Sequence, residues 1–219
     1  MTVATIIARA RQLAEIEGAA YFSTTEEYAS LNESYRDVYE KILDSDDDYF
    51  LEDWAFAMAA LTPDPIQARA FTIALPVDFY RLRVLQYQSG QTFRTIFKFA
   101  PQEEPQSGVS PSYRLRGEYL KLILPALGSF TNFRGYYYPI PTVYTTGTED
   151  IDFPPQLRPE ILAYQIAIDA RRKQQGDYAQ LAERRDEIFA GFVEAIGKRD
   201  NWQAETVNNV YNSTDSPWR

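Results

Sequence analysis

Cysteine and histidine are both missing from this chain. Without cysteine there is no disulfide framework and no thiolate metal site, and the redox compartment leaves no mark on the sequence. Without histidine the usual transition-metal ligand is gone, along with the Ser-His and Cys-His nucleophile pairs and the side chain that normally titrates near neutrality. Gly-rich phosphate loops are absent too, since neither a Walker pattern nor a dinucleotide fingerprint occurs. No apolar run approaches the ~20 residues needed to cross a bilayer. The segment Met1 to Ile7 lacks a charged leader followed by a long apolar stretch, so the expectation is a chain without a signal peptide, soluble where it is made. Positive charge is in deficit, with 22 Lys and Arg against 31 Asp and Glu, a net charge of −9. A surface that binds nucleic acid neutralises phosphates with cations, so a specific DNA or RNA reader is excluded as the leading class.

What is present is apolar and aromatic. The 219 residues are 45% hydrophobic and 15% aromatic, with 16 tyrosines, far too rich for a disordered chain and enough for one main core. Tyrosine serves cores and interfaces alike, because it buries area at small rotamer cost and keeps a polar tip.

Val3, Ile6, Ile7, Ala10, Leu13 and Ala14 recur at helical spacing, with Gly18 beyond, and predict a helix over about 3–17. Ser23 with Glu26 and Thr24 with Glu27 form overlapping capping boxes ahead of the stripe Tyr28, Leu31, Tyr35, Val38 and Ile42, predicting a helix over 25–43. Asp46-Asp47-Asp48 would oppose the macrodipole at a helix C-terminus and marks a turn. It lacks the spaced acids, central glycine and terminal glutamate of a calcium loop. Trp54, Phe56 and Met58 alternate, as do Phe71, Ile73 and Leu75, and read as two paired strands. The alanines of 50–61 keep a helix open there.

After Pro76, residues 77–87 read as a short turn or helix leading into an extended piece. Phe93 to Phe99, Tyr113 to Arg116, Glu118 to Leu124 and Arg134 to Ile140 follow as strands, the middle two joined at Gly117. Pro139 and Pro141 open an irregular loop through Asp150. Leu157, Ile161, Tyr164 and Ile168 predict a helix over 155–174 ending in Arg171-Arg172-Lys173. Leu181, Ile188, Phe192 and Ile196 predict another over 178–196, with Gly197 as its stop. The fold class expected is α+β, mainly a four-helix bundle over 1–197 with an antiparallel β region at about 50–141 inserted. Residues 198–219 form a C-terminal arm, in which Trp202, Val207, Val210, Tyr211 and Trp218 stand among polar residues as candidates for contact with a partner. Tyr137 and Tyr144 are the further candidates.

Paired carboxylates are the one catalytic device available, at Asp46 to Asp48 or at Glu149, Asp150 and Asp152. An apolar pocket holding one acid protonated would be needed, and spacing does not supply it. No catalytic, cofactor or metal residues are therefore expected. The arginine pairs 9/11, 81/83, 114/116, 171/172 and 184/185 either salt-bridge to the surplus acids or meet a neighbouring subunit. Tyr136-Tyr137-Tyr138 opens a competing reading, a ligand-binding module that stacks on sugars.

The order of segments resembles the head-to-tail adaptor, or head completion, proteins of tailed bacteriophages, the tail tubular A and podoviral group in particular. The resemblance covers about residues 1–197. It is carried by Phe22-Ser23, Leu31-Asn32-Glu33 and Tyr35-Arg36, then by Leu75-Pro76-Val77-Asp78-Phe79-Tyr80-Arg81-Leu82 and Gly117-Glu118-Tyr119-Leu120-Lys121-Leu122. Tyr136 to Pro141, Asp152-Phe153-Pro154 and a helix pair broken at Gly176-Asp177-Tyr178 complete it. It implies a virion protein, made in the host cytoplasm, whose copies form a ring of typically twelve at the head-tail junction. Portal protein and a tail or nozzle protein would be its partners, the C-terminal arm would engage the portal, and double-stranded DNA would pass through without sequence-specific binding. An acidic lumen opposes adsorption of a polyanion and suits that passage.

Overall fold

A computed structural model describes residues 1–15, 22–44, 48–67, 69–99, 110–125, 130–154 and 157–211, with side chains described as far as Ala195. These fall into two compact units, Met1–Tyr49 with Pro141–Arg219, and Phe50–Ile140.

The first unit is helical. Helix α1 (Val3–Ala14) starts where the Thr2 hydroxyl accepts from the Thr5 N–H, and it ends on Glu15 in the left-handed conformation, ahead of the expected Gly18. Helix α2 (Thr24–Asp44) opens on the first capping box. The Ser23 N–H donates to Glu26 Oε2 at 2.8 Å, and the Glu26 N–H donates to Ser23 Oγ at 3.4 Å. Helix α3 (Glu160–Lys173) begins later than the expected 155, behind Pro159 in helical conformation, because proline fits the entry to a helix and not its interior. Packed against α1, α2 and helix α4 (Ala179–Tyr211), it buries Ile161, Leu162, Ala163, Ile166, Ala167, Ile168 and Ala170, residues spread around the helix as a central position demands. Asp177 Oδ1 accepts from the Ala179 N–H and starts α4, which runs through the expected stop at Gly197 to Tyr211. A glycine ends a helix when the chain turns left-handed there, and an unbroken helix costs it only propensity.

The second unit is all β. Strands β1 (Glu52–Ala57), β9 (Asn132–Pro139), β4 (Phe79–Ser89) and β5 (Thr92–Thr95) form one antiparallel sheet in that order. Strands β2 (Thr62–Pro63), β3 (Ala70–Ala74), β8 (Tyr119–Ile123), β7 (Ser112–Arg116) and β6 (Phe97–Lys98) form the other, with β6 and β7 parallel. Phe56, Leu85 and Phe133 from the first sheet and Leu120 and Leu122 from the second belong to one buried cluster, so the sheets face each other across a core of their own. That finding corrects the expected architecture. The fold is α+β, with four helices and two large sheets among the described residues, because the alternating segments pair into nine strands there that bury one another rather than decorating a helical bundle.

The strand reading of 50–61 holds for β1, which is followed by a single 3₁₀ turn at Met58–Ala60. Its expected pairing does not hold, since β1 pairs with β9 and β3 with β8, in different sheets. The expected turn or helix at 77–87 is largely β4, and one expected strand at 93–99 is split by Ile96 into β5 and β6. The join at Gly117 is as read, with φ +58. At Gly135 a Cβ would stand 3.1 Å from Trp54 Cε3, so the missing side chain lets the indole lie on β9.

Candidate functional site

In the helical unit the polar groups are turned inward onto the chain itself. Asn32, in the middle of α2, accepts from the Tyr144 N–H at 2.7 Å and donates to the Tyr144 carbonyl at 2.9 Å, so one side chain closes both backbone valences of a loop residue. Tyr144 is 2% exposed, and its hydroxyl accepts from the Asp152 N–H at 3.1 Å. Its ring meets Tyr35 edge-on with centroids 5.0 Å apart. Tyr35 stacks on Phe153 and donates to the Asp152 carbonyl, and burial first of all pushes its hydroxyl far above the usual tyrosine range. Tyr49 donates to Asp152 Oδ1 at 2.7 Å, and that bond raises its hydroxyl to about 12. Buried Glu27 takes a two-pronged contact from Arg11, at 2.6 and 2.7 Å.

The acids proposed for catalysis are engaged in the same way. Glu149 Oε2 accepts from the N–H groups of Thr146 and Thr145, which hold its carboxyl below the usual range. A general acid needs the opposite shift. Asp150 lies 3.5 Å from the terminal amine, and Asp152 anchors tyrosines. Among the described residues no three His, Cys, Asp or Glu side chains converge to hold a metal ion. Asp46 and Asp47 lie outside the described residues.

The expected contact residues divide. Tyr137 and Tyr144 are both buried and hydrogen-bonded within their own chain. The Tyr137 hydroxyl donates toward Glu52 Oε2 at 2.9 Å and Asp78 Oδ1 at 3.1 Å, its ring stacks on Phe79, and burial followed by these carboxylates drives its hydroxyl upward. Tyr138 is 1% exposed, and half-buried Tyr136 lies under the Arg134 guanidinium, 4.7 Å from its ring centre. The three tyrosines thus offer no open stacking face.

Trp202, Val207, Val210 and Tyr211 belong to α4, while Trp218 lies outside the described residues. At about 1.5 Å per residue, α4 is about 50 Å long and α3 about 21 Å, so α3 can cover less than half of it. Phe192 is buried, and Val193, Glu194 and Ala195 are already exposed.

In the β unit a set of apolar and cationic groups stands open. Val77 is 100% exposed on the turn between β3 and β4, where with Leu75, Pro76, Phe79 and Tyr119 it lines a depression of about 400 Å³. Ile66, Phe93 and Phe97 are exposed as well. Arg94 on β5, Lys98 on β6 and Arg114 and Arg116 on β7 form no ion pair among the described residues. Arg11, Arg171, Arg172, Arg184 and Arg185, by contrast, meet acids of the helical unit. Asn32 had one signal in the sequence, a polar residue of poor helix propensity in mid-helix. The open cations of the β unit had none, because pairing between distant strands decides which side they occupy. No protein-family model matches this chain, and no curated protein matches it.

Proposed function

We propose that this chain is a non-catalytic structural protein of a tailed-phage virion, whose copies form a ring at the head-tail junction, join the portal to the tail, and continue the DNA channel. The resemblance of its ordered motifs supplies the family, and the observation that carries the reading here is the length of α4. A helix of 33 residues that outruns its packing partner, with Trp202, Val207, Val210 and Tyr211 on its far half, is built to meet another molecule. Portal protein is the partner this reading assigns to it. The open apolar and cationic groups of the β unit would face the neighbouring copy or the tail protein. The net charge of −9 keeps DNA moving through the ring, since like charge opposes adsorption.

The test is the solution mass of the full chain, alone and mixed with a candidate podoviral portal. A stoichiometric ring on the portal, typically of twelve copies, is the expected result. Truncation after Lys198 should preserve the β circular-dichroism signal, lose only the share of the helical signal that the far end of α4 contributes, and abolish docking. A chain that stays monomeric and indifferent to every portal offered overturns the reading.

A further inference from the structure

The two sheets of the β unit treat their edges in opposite ways. Edge strands expose unsatisfied backbone groups, and proteins that stay single shorten them or place proline and lysine on them. The five-stranded sheet does so, since its edges β2 and β6 have two residues each, β2 contains Pro63 and β6 contains Lys98. The four-stranded sheet does not. Its edge β1 has six residues in unbroken register with β9, its edge β5 has four, and neither contains proline or lysine.

We infer that β1 of one copy pairs with β5 of the next, so that the four-stranded sheet continues from subunit to subunit. The inference rests on the ring reading and names the joint that such a ring would use. Three observations select a second copy as the occupant.

The first is direction. Each neighbouring pair in the order β1-β9-β4-β5 is antiparallel, so β1 and β5 run opposite ways. A copy set alongside in the same orientation therefore presents its β1 antiparallel to β5, and the ladder pattern continues unchanged. Repeating that step is a head-to-tail contact, the kind that generates a ring when the rotation between copies closes.

Charge is the second. Strand β1 carries Glu52 and Asp53 and no cation, whereas β5, β6 and β7 carry Arg94, Lys98, Arg114 and Arg116 and no acid. Asp53 already pairs with Arg134 of β9, so Glu52, which accepts from the Tyr137 hydroxyl and meets no cation among the described residues, is the acid left to a neighbour. In a chain of net charge −9 this separation makes the two sides of one unit complementary.

The pleat is the third. The pairings Glu52↔Tyr137, Trp54↔Gly135, Leu85↔Gly135, Tyr87↔Phe133 and Tyr87↔Arg94 put Glu52, Trp54 and Arg94 on one face of the sheet. Arg94 opposite Glu52 of the next copy is a register the pleat allows, and it also sets Phe93 against Asp53 and Thr92 against Trp54.

The cysteine-free chain makes a direct test possible. The double variant Asp53→Cys/Phe93→Cys, oxidised at millimolar concentration, should give a ladder of disulfide-linked oligomers on a non-reducing gel, while each single variant gives none. Dimers from Asp53→Cys alone would overturn the joint in favour of a two-fold β1 contact. Oligomers in the ultracentrifuge without a 53–93 link would overturn it and leave the ring reading standing. A chain that stays monomeric at that concentration and does not cross-link overturns it too, and mixing with portal then judges the ring reading separately.

Charge reversal gives a second arm. Glu52→Arg or Arg94→Glu should each weaken association by about tenfold or more, and mixing the two variants should restore it. Circular dichroism of each variant separates lost pairing from lost folding, and failure of the folded mixture to recover association overturns the register.

Discussion

The helical unit ties its buried polar groups into a network, and the β unit, with fewer such contacts, leaves a set of cations and apolar tips open. In the first, Asn32 clamps Tyr144, Arg11 holds buried Glu27, and Asp152 gathers Tyr35, Tyr49 and Tyr144. The second has an apolar core cluster and closes some polar groups of its own, Tyr137 on Glu52 and Asp78, Lys121 on Asp64 and Arg134 on Asp53, but Val77, Ile66 and Phe97 stand in solvent, and Arg94, Lys98, Arg114 and Arg116 form no ion pair among the described residues. A buried polar network fixes one conformation and tolerates little change, whereas open edges and apolar tips cost stability nothing until a partner arrives. Substitutions in the first unit should therefore show mainly as lost stability, and surface substitutions in the second mainly as lost association.

The largest effects break each core. Tyr35→Ala removes a ring packed on Tyr144 and Phe153, and a loss of about 3–5 kcal/mol is expected in denaturant unfolding. Leu85→Ala, at a fully buried position of the β cluster, should cost about 2–5 kcal/mol. Hydrogen exchange read element by element should show the first variant opening α1 to α3 and the second opening β4, β8 and β9. Uniform opening by either would show that the two units share one cooperative transition.

Asn32→Ala comes next. It leaves the N–H and carbonyl of buried Tyr144 without their partner, an expected cost of about 1–3 kcal/mol, although the atoms removed are few. A loss below about 0.5 kcal/mol would mean that water replaces the amide and that the clamp does not fix the loop.

How far these features could be read from the chain depends on how local their cause is. The Ser23 and Glu26 capping box, the stripe of α2 and the Gly117 turn were legible because each is decided within a few residues. The partner of β1 was not, because alternation at Trp54 and Phe56 says that a strand exists and nothing of the strand some 80 residues later that it joins. The same gap turned two sheets with a core into an insertion on a bundle. Burial of Tyr137 and Tyr144 was hidden for a related reason, since a tyrosine inside and a tyrosine at an interface look alike until their hydrogen-bond partners are placed. Helix α4 shows the converse error, a local stop signal at Gly197 that the helix overrides.

Acid offers a smaller effect that both units share. Contact with Lys173 above all lowers the Glu26 carboxyl to about 2, and contact with Lys121 lowers that of Asp64 to about 2. A carboxyl held lower in the folded state than in the unfolded one binds its proton less readily when folded. Its stabilisation is then present above the unfolded value, near 4, and is lost as pH falls toward 2. Glu26 is solvent-facing and Asp64 is half-buried beside Lys121, so the change should be modest and salt-sensitive for Glu26 and less easily screened for Asp64. Thermal melts from pH 6 to pH 2 should lose part of their acid dependence in Glu26→Gln for the helical unit and in Asp64→Asn for the β unit. Unchanged slopes would mean that neither pair matters to folding.

The smallest expected effect on stability sharpens the comparison most. Val77 is fully exposed, so Val77→Ser removes no buried area and should leave unfolding within about 0.5 kcal/mol of the parent. If the β unit is open because another molecule covers it, the same substitution should reduce association with portal, tail protein or further copies, as pull-down and sedimentation would show. An unchanged melt with weakened assembly assigns the exposed turn to an interface. A destabilised monomer would instead place Val77 in the packing of its own chain, and the contrast between the two units would then fail at that turn.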